Sequence, residues 1–194
     1  MKVITFDIET TNTFDDVGSW EPKDLEISVV CIHDSETNDV SHFFVEDLNK
    51  LWPILETADS LVGYNSDHFD IPLLDKYYPE NLNKIKSVDL MAEIKNIIGR
   101  RIKLDDIVSA TLGESKSAHG LQAIIWWRNG EKDKVVEYCK QDVKVTRNLY
   151  DFIKENGFCY YIKDGQKTKI EIDTSNWEKI EKKESPTLNL GFGF

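Results

Sequence analysis

The chain has 194 residues, with 24 Lys and Arg against 35 Asp and Glu, for a formal net charge of −11. A hydrophobic fraction of 40% is too high for wholesale disorder, and the length suits one domain with at most a small appendage. No apolar run approaches the roughly 18 residues a membrane helix needs, acids interrupt the N-terminus where a signal peptide would be apolar, and the acidic balance excludes a protein that coats nucleic acid by charge alone.

Residues 2–8 alternate around apolar positions and predict a strand. Residues 27–33 and 40–45, rich in Val, Ile and Phe, predict two more, joined by a polar turn over 34–39 into an antiparallel meander. A helix is expected over 46–57, a short strand over 60–63, a helix over 71–78 and a strand over 85–88. From there to Gly157 the pattern is helical, with breaks at Gly99, Gly113, Gly120 and Gly130. Beyond Gly157, residues 158–162 and 168–172 flank Lys163-Asp164-Gly165-Gln166, and Asp-Gly between two β-type runs signals a hairpin. Residues 178–186 are charged and linker-like, and the last eight turn apolar. This order predicts an α/β protein with a mixed central sheet flanked by helices: a main domain over 1–157, a hairpin extension packed on it over 158–177, and a linker and tail over 178–194.

Three acidic motifs stand out. In Phe6-Asp7-Ile8-Glu9-Thr10 the strand period of two puts Asp7 and Glu9 on one side and Ile4, Phe6 and Ile8 on the other. Two carboxylates side by side repel, and a divalent cation relieves that repulsion; a solvent-facing strand end is the plainer reading. In Asn65-Ser66-Asp67-His68-Phe69-Asp70, Asp70 precedes Ile71-Pro72 and suits either a helix cap or a metal ligand, with Asp67 a competing acid in the same loop. In Tyr138-Cys139-Lys140-Gln141-Asp142, Tyr138 and Asp142 stack on neighbouring turns of a predicted helix. Asp142 then sits in an apolar helix face and needs a cation or a donor, or else a rim position or a buried salt bridge.

In their order, these motifs resemble the DEDD superfamily of 3′-to-5′ exonucleases, whose fold is ribonuclease H-like, over about residues 1–157. Phe-Asp-Ile-Glu-Thr is similar to the proofreading domains of family B DNA polymerases and to small stand-alone relatives of them. The run over 103–150, with Gly120-Leu121-Gln122-Ala123 and Asn129-Gly130, looks most like the stand-alone group. One branch of the superfamily carries a His five residues before its last Asp; Glu137 stands there in this chain, and Tyr138 stands four before, which resembles the tyrosine branch.

The resemblance implies two-metal phosphodiester hydrolysis. Asp7, Glu9, Asp70 and Asp142 are expected to hold two divalent ions, Mg²⁺ or Mn²⁺, ~4 Å apart, to activate a water and stabilise the departing 3′ oxygen. Tyr138 is expected to hold the attacking water by its hydroxyl, since a phenol of pKa about 10 orients better than it deprotonates. The implied products are nucleoside 5′-monophosphates released from a free 3′ end, with single-stranded DNA the expected substrate and replication or repair the expected setting. Asn65 is a candidate for the terminal sugar and Phe69 for packing under the terminal base; a turn residue and a core residue are the alternatives.

Asp89 reads as a helix cap, and Trp126 and Trp127 as core and rim. His33, His42, His68 and His119 show no ligand spacing. Lys95, Arg100, Arg101, Lys103 and Lys116 form a local basic cluster that suits either the backbone of a single strand or a solvated helix end. Cys31, Cys139 and Cys159 are too few and scattered for a disulfide framework or a zinc site, so a reducing cytoplasm is expected, with no membrane association.

The same carboxylates would serve an RNA exonuclease or a ribonuclease H-type endonuclease, and a non-catalytic module that binds nucleic-acid ends or a replication partner is the alternative from another class. The tail, with Thr187 followed by Leu188, Leu190 and Phe192 and ending at Phe194, resembles peptides by which bacterial replication proteins dock on the sliding clamp. An edge strand covering its own domain is the competing expectation.

Overall fold

The computed structural model describes residues 1–114 and 120–179. Lys116, His119 and the 187–194 segment lie outside the described residues.

The chain opens with β1 (Val3–Thr10), a short helix α1 (Phe14–Val17), and the meander partners β2 (Ile27–Asp34) and β3 (Asp39–Phe44). Instead of one helix over 46–57 there is a 3-10 turn (Val45–Lys50) followed by a separate α2 (Trp52–Glu56). Pro53 explains the division: its ring and missing N–H would break a continuous helix, and restarting at Trp52 places it in a first turn. Then come β4 (Ser60–Gly63), α3 (Asp70–Asp75), β5 (Lys86–Asp89), α4 (Leu90–Ile98), α5 (Leu104–Leu112), α6 (Gly120–Arg128), α7 (Lys132–Asn156), β6 (Phe158–Lys163) and β7 (Gln166–Glu171). Gly99, Gly113 and Gly157 close α4, α5 and α7 in the left-handed conformation. Gly120 begins α6 rather than interrupting a helix.

Five strands form one mixed sheet in the order β3-β2-β1-β4-β5, antiparallel through the meander and parallel from β1 to β4 to β5. The pleat sorts β1 into two faces. Ile4, Phe6 and Ile8 join Val30, Ile32 and Phe43 in a core covered by Leu55, Leu73 and Leu74 of α2 and α3. On the opposite face α7 packs Val135, Cys139 and Val143 against Val29 and Cys31 of β2, and its C-terminal half packs Leu149 and Ile153 against Val3, Val62 and Val88.

The β6-β7 hairpin is a second, two-stranded sheet. Asp164 and Gly165 turn it with φ of 50° and 76°, a pairing that matches the right-handed twist of the strands. Cys159, Tyr161, Ile170 and Ile172 bury one of its faces in the core shared with α5 and α7. Among the described residues, no helix is long and apolar enough to cross a membrane.

Candidate active site

β1 runs through the middle of the sheet, so its α7-facing side chains emerge beneath the longest helix. Asp7 and Glu9 are on that side, in register with Cys31 and Val29 of β2. The register slips between Glu9 and Thr10, a bulge that ends the regular pairing just where the carboxylates stand. From above, α7 lowers Asp142. One oxygen each from Asp7, Glu9 and Asp142 lie within 4.8 Å of one another, although 133 residues separate Glu9 from Asp142. Glu9 is 7% exposed and Asp142 6%. The Cys139 thiol donates to the Asp7 carbonyl at 3.4 Å and fixes the register of α7 over β1.

Asp70, the fourth expected ligand, is not among the residues of that 4.8 Å cluster, although it is close enough for the Asp142 charge to act on it. It is the first residue of α3 rather than its cap, because Phe69 occupies the cap position and makes no side-chain capping bond. The buried Asp70 carboxylate accepts from the Ile8 amide between Asp7 and Glu9. Burial, then the nearby Asp89 and Asp142 carboxylates, push its pKa up to about 7, against the lowering effect of its backbone bonds. Asp67, the competing acid, turns away: its carboxylate accepts from the Ser87 hydroxyl at 2.5 Å.

Tyr138, one turn before Asp142, is buried, and its ring meets Trp126 edge-on at 6.2 Å. Its hydroxyl bonds to the Asp142 carboxylate. Burial first, then Asp142, Glu9 and Asp7, drive the phenol well above its ordinary pKa, so it keeps its proton.

The loop from β4 to α3 owes its shape to Gly63 and to Asp89, the latter expected only as a helix cap. A Cβ on Gly63 would collide with Ser66, so only glycine allows that close approach. Asp89 caps α4 as expected, accepting from Met91 at 2.9 Å and Ala92 at 3.2 Å. The same carboxylate also accepts from the amides of Asn65 at 2.8 Å and Asp67 at 3.2 Å, across the parallel β4-β5 pair. Asn65 is held at φ 65°, and its Oδ1 is buried without a hydrogen-bond partner among the described residues. Phe69 is half-buried and meets Phe14 edge-on at 6.1 Å, and Phe14 in turn lies 5.8 Å from the 81%-exposed Trp20. Trp127 stands on the rim with Phe44, and Lys132 lies over both rings.

The sheet order, the helix over its centre and a cluster of carboxylates beneath that helix define a ribonuclease H-like nuclease fold. The chain belongs to the RNase_H superfamily, whose family model matches residues 4–154. A DNA polymerase of Archaeoglobus fulgidus is 27% identical over 184 residues, covering 80% of this chain but only 23% of the polymerase. Among solved structures, the family B DNA polymerase of Pyrobaculum calidifontis superposes with a TM-score of 0.62 at 19% identity, over 79% of this chain and 24% of that one. RNase D of Trypanosoma brucei superposes with a TM-score of 0.58 at 16% identity, over 77% of this chain and 56% of that one. Its complex with RNA U12 gives 0.59 at 18% identity, over 77% and 54%. These structural likenesses establish the fold.

Proposed function

We propose that the chain is a metal-dependent 3′-to-5′ exonuclease of the tyrosine branch of the DEDD superfamily, acting on single-stranded DNA and releasing nucleoside 5′-monophosphates. One observation carries the reading: Asp7, Glu9 and Asp142 converge within 4.8 Å in a mostly buried setting, with Tyr138 one turn from Asp142. Buried like charges at that spacing need a cation, and oxygen-only donors fit a hard divalent ion, Mg²⁺ or Mn²⁺. Asp7, Glu9, Asp70 and Asp142 would hold two such ions, which supply an activated water and stabilisation of the leaving oxygen when bound.

The rest of the chemistry belongs to the chain. Tyr138 retains its proton and orients the attacking water without deprotonating it. Asn65 offers its buried Oδ1 to a sugar hydroxyl, and Phe69, beside Asp70 and braced by Phe14, packs against the terminal base. Identity to a DNA polymerase supports DNA as substrate and replication or repair as setting. The three buried free thiols fit a reducing cytoplasm. The division at residues 157 and 177 belongs to the same proposal, as does a replication clamp as partner of the 187–194 tail: deleting residues 187–194 should then abolish clamp binding and leave melting unchanged, whereas lowered melting with no partner lost makes the tail an edge strand of its own domain.

An RNA exonuclease is the second reading, favoured by the fold shared with RNase D bound to RNA U12. The deciding experiment digests equal concentrations of dT20 and rU20 with Mg²⁺ or Mn²⁺ and resolves the products by chromatography. Thymidine 5′-monophosphate released faster than uridine 5′-monophosphate supports the first reading. The reverse preference selects the second, and internal fragments select an endonuclease.

A further inference from the structure

The hairpin has two faces of opposite character. Cys159, Tyr161 and Ile170 are buried in the main core. The alternate residues point outward, with Phe158 and Tyr160 half-buried and Ile162 52% exposed. The β6-β7 register sets Lys169 opposite Tyr160 and Lys167 opposite Ile162. The Lys167 ammonium lies 4.4 Å from the centre of the Tyr160 ring, and that of Lys169 4.3 Å from the Phe158 ring. Phe152 of α7 meets Phe158 edge-on at 5.6 Å, and Phe158 meets Tyr160 at 5.3 Å, so three rings follow one another across the surface.

Of the basic residues expected near position 100, Arg100 lines a cleft beside this face. Arg100 lies 5.7 Å over Tyr161, and a cleft of about 610 Å³ between α5 and the hairpin is lined by Arg100, Ser109, Ile162 and Lys167, with Asp105 and Asp106 on its α5 side. On the hairpin itself, Lys163, Lys167 and Lys169 outnumber the acids Asp164 and Glu171, the latter an exposed partner of Lys169 at 3.2 Å. With Arg100, Asp105 and Asp106 of the cleft counted, four cations meet four acids, so this face is locally neutral in a chain of net charge −11.

We propose that this face binds single-stranded DNA upstream of the 3′ end that occupies the carboxylate site; the inference rests on the exonuclease reading above. Successive aromatic faces interleaved with ammonium groups hold unstacked bases and phosphates without sequence preference. An ammonium over a half-buried ring at the surface is held more weakly than a stacked base, so an arriving base displaces Lys167 or Lys169 toward the neighbouring phosphate. The platform is preorganised: its rear is core, and the Thr111 hydroxyl accepts from the Tyr160 amide at 2.9 Å. Asn156, the last residue of α7, lies fourteen residues beyond Asp142, about 21 Å along the helix axis at 1.5 Å per residue. A mononucleotide in the site cannot span that distance, whereas an oligonucleotide can.

The test compares wild type with the exposed double variant Lys167→Glu/Lys169→Glu. Two substrates are used: dT20 and the p-nitrophenyl ester of thymidine 5′-monophosphate, which is too small to reach the hairpin. The expected result is at least a tenfold fall in the ratio of kcat/KM on dT20 to kcat/KM on the ester, through KM. The salt dependence of dT20 binding should lose about 1.4 units of log–log slope for two phosphate contacts. Tyr160→Leu, which keeps apolar bulk, should reduce the ratio with the salt slope unchanged. An unaltered ratio in both variants overturns the proposal. If wild type cleaves neither substrate the exonuclease reading fails by itself, and fluorescence anisotropy with labelled dT20 still decides. Weaker binding by the double variant supports the face; equal binding, or no binding by wild type, overturns it. Loss of affinity for rU20 with none for dT20 overturns the assignment to DNA.

Discussion

At the scale of single residues, the proposed reading makes the clustered carboxylates of Asp7, Glu9 and Asp142 necessary to hydrolysis. Asp142→Ala removes one of three neighbouring negative charges, so the expected outcome is loss of hydrolysis with an unchanged or raised melting temperature. Near-normal turnover in Mg²⁺ would contradict the assignment. Tyr138→Phe keeps the ring against Trp126 and removes only the hydroxyl bonded to Asp142. A positioned group of this kind contributes roughly ten- to a thousandfold, so kcat should fall by that range while Mn²⁺ affinity, measured by calorimetry, stays the same. The pH dependence follows from Asp70. Its folded pKa, about 7 through burial and the nearby Asp89, exceeds the unfolded value of about 3.9. The folded state therefore binds more protons, and this contribution to stability is complete at low pH and is lost as pH rises through about 7. Melting of the metal-free protein should fall between pH 5 and pH 8, less so in Asp70→Asn, and Mn²⁺ should raise the melting temperature more at pH 8 than at pH 5 because the ligands must be deprotonated. A flat metal-free profile would remove Asp70 from the carboxylate site. The shared faces of Asp7 with Glu9 and of Tyr138 with Asp142 could be read from periods of two and four along the chain, whereas their grouping into one candidate site came from the resemblance of the motif order. The bond from Ile8 to Asp70 could not be read from such periods, since it joins segments about sixty residues apart that only the sheet brings together.

At the scale of elements, the strands of the meander, β4 and the Asp-Gly hairpin follow directly from alternation and turn chemistry. The single helix expected over 46–57 divides at Pro53, because local hydrophobic spacing does not register a missing N–H. Asp89 was legible as the cap of α4, but its hold on the Asn65 loop depends on the parallel pairing of β4 with β5, which the sequence does not reveal. Asp89→Ala therefore removes two functions at once. Loss of the cap costs about 1 kcal/mol, and release of the Asn65 and Asp67 amides loosens the loop that leads into Asp70. Calorimetric melting should fall by several degrees and KM for an oligonucleotide should rise. A change in melting with unaltered KM would confine Asp89 to its capping role. On the hairpin, the alternation of Phe158, Tyr160 and Ile162 was visible, whereas which face the core would take was not.

At the scale of the molecule, the proposed reading has an acidic α/β protein degrade nucleic acid from one end, with bound cations reversing the sign of its own site. The chain spans less than a quarter of the archaeal polymerase it matches, so the claim concerns this chain's own carboxylates. The most direct measurement is denaturing electrophoresis of 5′-labelled single-stranded DNA incubated with the protein in Mg²⁺, in Mn²⁺ or in EDTA, beside the Asp142→Ala variant. The account predicts a ladder shortening progressively from the 3′ end with either metal, and intact DNA in EDTA and with the variant. Internal cuts, undiminished cleavage in EDTA, or full activity in Asp142→Ala would contradict it.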